Sequence, residues 1–151
     1  MNVDLITQIR RLSQQYAYTS IQMHEAVARK AGFSGTDHKY LGFLLKEGQM
    51  AAGELANLTG LTTGAVTGLI DRFEKKKLVK REFVKDDRRK VFIVPDTEAI
   101  MRLLEPLYKD FRNNSEKLIA SFPDKELKVL HAYFSKAIDI MNEATNKLNN
   151  K

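Results

Sequence analysis

Six positions between residues 55 and 69 constrain this chain more than any other feature in it: Leu55, Ala56, Gly60, Leu61, Val66 and Leu69. Two helices that cross closely need a small residue at the crossing, and Ala56 supplies it. They need a turn residue that tolerates positive φ, and Gly60 follows four positions later. They need apolar residues that seat the second helix at a steep angle, and Leu61, Val66 and Leu69 are so placed. This is the spacing of a helix-turn-helix unit. Thr59 departs mildly from it, because the position before the turn glycine is generally apolar. An ordinary helical hairpin would satisfy the same positions, so the segment that follows decides between them.

Residues 79–84 and 90–94 are rich in Val, Ile and Phe, as strands are. Between them lies the polar tip Lys85-Asp86-Asp87-Arg88-Arg89. A β-hairpin directly after a helix-turn-helix makes a winged helix. Such a unit lays its second helix in the major groove of a duplex, and its arginine-bearing tip suits the negative potential of the neighbouring minor groove. Charge placement agrees. The formal net charge is +6, and residues 61–90 carry ten Lys/Arg against five Asp/Glu, so nearly all the excess lies in one fifth of the chain. Such concentration favours a polyanionic partner, either nucleic acid or an anionic membrane surface.

Around this segment the periodicity predicts helices. Residues 3–30 carry Leu5, Ile9, Leu12 and Tyr16 at three- and four-residue spacing, ending at Ala31-Gly32. Thr36 is a candidate cap for a second helix to about residue 46, with Tyr40, Leu41, Leu44 and Leu45 inward. A third helix spans 51–58 with the weak cap Ala51. Thr62 caps a fourth running to about residue 76, with Val66, Leu69, Ile70 and Phe73 on one face. After the hairpin, Asp96 or Thr97 caps a helix from about 98 to 121, which Pro106 should kink or break. Phe122-Pro123-Asp124 interrupts, and a last helix runs from 125 to about 147. The expected order is four helices, a hairpin and two helices.

With 43% hydrophobic and 29% charged residues the composition is globular. The absence of cysteine excludes disulfides, thiolate catalysis and cysteine-ligated zinc. No segment approaches the roughly 20 apolar residues of a membrane span, no signal peptide is expected, and the cytoplasm is the natural compartment.

Over nearly its full length the chain resembles the MarR family of bacterial regulators. The match rests on Glu54-Leu55-Ala56, Gly60-Leu61-Thr62, Val66-Thr67 and Ile70-Asp71-Arg72-Phe73-Glu74. It continues through Leu78-Val79-Lys80-Arg81 and the wing's Asp-x-Arg element at Asp87 and Arg89. Lys77 stands where the family usually has Gly, Pro95-Asp96 and Ala99 replace the usual Leu-Thr and Gly, and Gly64 and Gly68 lie inside the recognition helix. The resemblance implies a mainly α fold with a small β-hairpin wing, a winged helix-turn-helix with long N- and C-terminal dimerisation helices. Residues 1–151 would form a single MarR-type domain, with a DNA-binding lobe at about 36–95 and dimerisation helices at about 1–30 and 98–149. The long amphipathic helices agree, since their apolar stripes must be buried somewhere.

The resemblance also implies a sequence-specific regulator of transcription. It would be a homodimeric repressor on a pseudo-palindromic operator in double-stranded DNA, released by a small aromatic or phenolic effector. For base edges and nearby phosphates the candidates are Thr62, Thr63 and Thr67, whose hydroxyls donate or accept and whose methyls can touch thymine. Arg72, Lys75, Lys80, Arg81 and Lys90 are candidates for phosphates. Arg88 and Arg89 are candidates for the wing tip, with Asp87 orienting an arginine.

An effector pocket would lie between the dimer helices and the DNA-binding lobe. Tyr16, Tyr18, His24, His38, Tyr40, Tyr108 and Phe111 are its aromatic candidates, although core packing explains any one of them more simply. A metal site at His24, Glu25 and His38 has no repeated ligand spacing behind it, so no metal and no cofactor are expected. The scattered histidines form no Ser/His/Asp or HExxH pattern, so an enzyme is not expected either. A membrane-surface protein would place its cations opposite a Trp- or Phe-rich helix face, and this chain has no Trp. An architectural protein binding DNA without sequence preference or ligand response is the alternative reading.

Overall fold

The structure is a computed structural model that describes residues 2–150, with the side chains of Thr36 and Arg88 lying outside the described ones. Nine elements follow in order: α1 (Val3–Ala31), α2 (Gly35–Glu47), β1 (Met50–Ala51), α3 (Ala52–Thr59), α4 (Thr63–Lys75), β2 (Val79–Val84), β3 (Asp87–Pro95), α5 (Thr97–Ala120) and α6 (Asp124–Asn149). The expected order holds, with one strand added. The chain packs as two compact units, Met1–Tyr108 and Lys109–Lys151. Among the described residues no helix is long and apolar enough to cross a membrane.

In the first unit the apolar face of α4 does most of the organising. Val66, Leu69, Ile70 and Phe73 are all buried, as the helical period requires. They join Leu41 and Leu44 of α2, Leu55 of α3, Ile93 of β3 and Ile100 of α5 in one core, together with Val27 and Ala28 from the end of α1 and Phe33 just beyond it. Burying side chains of this size contributes roughly 1.5–3 kcal/mol each. That core is why a two-residue strand such as β1 can exist. Met50 is buried and pairs with Ile93, Ala51 pairs with Phe92, and the sheet order is β1-β3-β2. Two residues carry no periodicity, so β1 was not legible in advance.

The helix ends follow local chemistry. Ser34, not Thr36, caps α2, its Oγ accepting from the Asp37 amide at 3.2 Å. Asp96 starts α5, its Oδ1 accepting from the Ala99 amide at 3.0 Å. α4 ends in a left-handed residue, Lys77 at φ 59°. The Lys77 amide donates to the Glu74 carbonyl and the Leu78 amide to the Phe73 carbonyl, with Leu78 and Phe73 both buried. α5 runs as one helix through Pro106, so the break that Pro106 was expected to mark does not occur.

The wing turns more tightly than expected. Only Lys85-Asp86 lies between the strands, and β3 begins at Asp87 rather than Lys90. Val84 pairs with Asp87 while Phe83 pairs with Val91. Arg88, Arg89 and Lys90 therefore form a bulge on β3 with no counterpart on β2, and a bulge re-aims the side chains it carries.

The second unit contains the end of α5 and all of α6. No residue of α6 is buried. Val129, Tyr133, Phe134, Ile138 and Met141 lie open along it, as do Phe111, Leu118 and Ile119 on α5.

Candidate nucleic-acid interface

The turn between α3 and α4 is built as its residues dictate. Gly60 sits at φ 71°, and its amide donates to the Ala56 carbonyl at 3.0 Å. Thr59, the departure from an apolar position, contributes through its hydroxyl. Oγ1 donates to the Leu55 carbonyl at 2.6 Å and accepts from the Leu61 amide at 3.3 Å, which ties the end of α3 to the start of the turn.

On α4 the residues opposite the core face outward. Thr62, Thr63, Gly64, Thr67 and Asp71 are all exposed. Thr62 is the cap, its Oγ1 accepting from the Ala65 amide at 3.1 Å. Thr67 Oγ1 donates to the Thr63 carbonyl at 3.0 Å. With its proton so used, Thr67 offers a partner lone pairs and a methyl, which suits a base amino group or a thymine methyl. A methyl added at Gly64 would meet open space, so that stretch of helix presents bare backbone. At Gly68 it would come within 3.3 Å of Arg72 Nη1.

The cations fall into two sets. Lys75, Arg89 and Lys90 are exposed, and the Arg89 amide donates to Asp87 Oδ1 at 3.0 Å, so Asp87 shapes the tip through the backbone. The other set is engaged within the chain. Arg81, on β2, reaches Asp71 Oδ1 at 2.6 Å and Glu74 Oε1 at 2.8 Å, and its own amide donates to Glu74 Oε2 at 3.2 Å. It thereby fastens the wing to the outer edge of α4. Arg72 places Nε 2.6 Å from Asp37 Oδ2 and Nη2 2.9 Å from Asp37 Oδ1, a two-pronged pair with an acid that is only 6% exposed. That carboxylate raises the guanidinium above its usual range. Lys80 pairs with Glu82 at 3.2 Å, both at the surface, where such pairs contribute little. Arg88 lies outside the described side chains.

Asp37, Asp71 and Glu74 were not among the expected site residues. Asp37 did leave a signal. It stands three, four and seven positions before Tyr40, Leu41 and Leu44, and so shares their buried stripe. An acid on such a stripe requires a cation.

The aromatic candidates separate. Tyr16 and Tyr18 are exposed on α1, Tyr40 is in the core, and Phe111 belongs to the second unit. His24, His38 and Tyr108 come together: Tyr108 Oη is 2.6 Å from His24 Nδ1 and 3.1 Å from His38 Nε2. The phenol has one proton to give, so one imidazole receives it and the other donates its own N–H. Burial, and then the neighbouring His24, lower the His38 pKa, and burial raises that of Tyr108. Among the described residues no three His, Cys, Asp or Glu are grouped to hold a metal ion.

Against known proteins, the profile of the MarR family matches residues 31–90, which span α2 to the wing. The uncharacterised HTH-type transcriptional regulator YcgE of Bacillus subtilis is 36% identical over 138 residues, covering 91% of this chain and 89% of that one. Among solved structures, a MarR family protein from Bacillus stearothermophilus superimposes with a TM-score of 0.70 at 25% identity, over 94% of this chain and 99% of that one. The DNA complex of MepR from S. aureus shares the fold, with a TM-score of 0.57 at 20% identity over 86% of this chain and 96% of the other. Fold, turn chemistry and relatives agree: the chain belongs to the MarR family of winged helix-turn-helix transcriptional regulators.

Proposed function

We propose that the protein is a homodimeric repressor that reads a pseudo-palindromic operator in the cytoplasm. One observation carries the reading most directly. The outward face of α4 and the basic wing are fastened into one surface by Arg81, which grips Asp71 and Glu74 from β2. The helix supplies Thr62, Thr63 and Thr67 for base edges and the first phosphates. Bare backbone at Gly64 lets it approach closely. Lys75, Lys90 and the wing-tip Arg88 and Arg89 supply charge for phosphates and the minor groove. The fold is one that MepR carries in complex with DNA.

Dimerisation follows from apolar surface. The N-terminal stretch of α1 exposes Leu5, Ile6, Ile9 and Leu12, and α6 exposes a stripe along its length. Patches of this kind on a regulator fit a two-fold partner. Two recognition helices would then meet half-sites about 34–36 Å apart. A small aromatic or phenolic effector would release the operator by entering beside His24, His38 and Tyr108, where two imidazoles and a phenol offer ring faces and hydrogen bonds. Bound over a promoter, the dimer represses by occupying it.

The test is selection of duplexes from a random pool, repeated with phenolic ligands present. The expected outcome is an enriched pseudo-palindrome bound roughly 10³-fold or more tighter than bulk DNA, with the preference weakened by ligand. Binding without preference would leave an architectural protein, and binding indifferent to every ligand would remove the effector.

A further inference from the structure

Helix α4 can present its threonines to base edges only if its rotation about its own axis is held. The apolar contacts of Val66, Leu69, Ile70 and Phe73 drive burial, but they are non-directional. A helix with side chains is about 10–12 Å across, so an outer group lies about 5 Å from the axis and moves about 1.7 Å on a 20° rotation. That is enough to break a hydrogen bond whose working range is about 2.7–3.2 Å. Directional contacts must therefore set the angle. Arg81 provides one from the wing. The other is the Asp37–Arg72 pair, which joins α4 to α2.

We infer that Asp37 is a positioning residue for sequence discrimination, acting through Arg72 to fix the rotation of the recognition helix. The carboxylate is nearly buried, and it faces Nε and Nη2 with both oxygens at 2.6 and 2.9 Å. Two parallel bonds to a planar group define an orientation, whereas one bond or a point charge does not. The inference rests on the DNA-reading role proposed above.

A simpler role for Arg72, as a phosphate contact, makes the opposite prediction. Asp37 would then only draw charge away from DNA. Asp37→Asn would free the arginine, tighten binding to every duplex and steepen the salt dependence. A positioning role predicts that Asp37→Asn, in which an amide N–H meets the guanidinium, reduces discrimination.

The measurement is affinity for the duplex enriched by the wild-type chain and for a shuffled duplex of equal composition, across salt. Proteins are first shown to be folded by near-ultraviolet circular dichroism, and binding is read well below each melting midpoint. Asp37→Asn is expected to lower the ratio of the two affinities by at least about tenfold, on the scale of losing one good base contact. The affinity for the shuffled duplex should hold or rise. Arg72→Lys keeps the charge but not the fork and should lower the ratio equally; it decides alone if Asp37→Asn does not fold. An unchanged ratio in a folded variant overturns the inference and leaves the DNA-reading function standing. A wild-type chain that enriches no duplex overturns both.

Discussion

Lys77 adopts φ 59° where a glycine would be unstrained. A left-handed conformation costs a residue with a Cβ roughly 1–2 kcal/mol, and the entropy of a glycine in the unfolded chain takes back about 0.5–1. Lys77→Gly should therefore raise stability by about 0.5–1 kcal/mol, seen as a higher urea midpoint at unchanged slope. A second residue-scale effect belongs to His38. Its folded pKa lies below 6.5 because burial and His24 disfavour the cation. The unfolded chain then binds a proton that the folded chain refuses. Stability is full above about pH 6.5 and falls as pH drops through 6.5 towards the lowered folded value. His38→Gln should flatten this slope in urea titrations between pH 7 and 5, and an unchanged slope would assign it to other groups.

At the scale of elements, the proposed interface divides the work between helix α4 and the wing. The bulge at 88–90 concentrates cations at a tip that β2 does not match, and such charge binds phosphates whatever the sequence. Arg89→Ala should weaken binding to enriched and shuffled duplexes alike, and lower the salt slope by about 1, without changing the melting midpoint. Thr67→Ala should leave the salt slope intact and alter the enriched sequence. If both variants behaved alike, the division between helix and wing would be wrong. The two glycines of α4 sharpen this division. With Gly64 open and Gly68 beneath Arg72, few side chains remain for base readout. In the proposed interface, discrimination then falls to the few threonines that remain, and the wing supplies mainly affinity.

For the whole molecule, the surface of α6 is the dominant fact. A 26-residue helix with no buried residue does not persist on propensity alone, and most helical stability comes from packing an apolar face. In the proposed dimer a second copy covers this stripe, and stability then depends on protein concentration. Ile138→Asp should shift the chain from dimer to monomer in sedimentation equilibrium and lower its melting midpoint. A variant that stayed dimeric would move the interface away from α6.

Much of this was written in local order. Gly60 and Ala56 at their spacing, the capping Thr62 and Asp96, and the 3.6-residue stripe of α4 act between neighbours along the chain, so a one-dimensional reading finds them. The same holds for the cation excess at 61–90, which needs only counting. Tertiary structure decided which charges are free. Arg72 and Arg81 look like Lys75 in one dimension, yet Asp37 and the pair Asp71 and Glu74 engage them across 35 residues and across seven to ten. It also decided that Met50-Ala51 is a strand, because a strand of two residues exists only beside its partner. The meeting of His24, His38 and Tyr108, up to 84 positions apart, was decided in the same way. Each is a contact set by how the core closes; Asp37, on the buried stripe of α2, left a periodic trace, but no period, cap or motif named its partner.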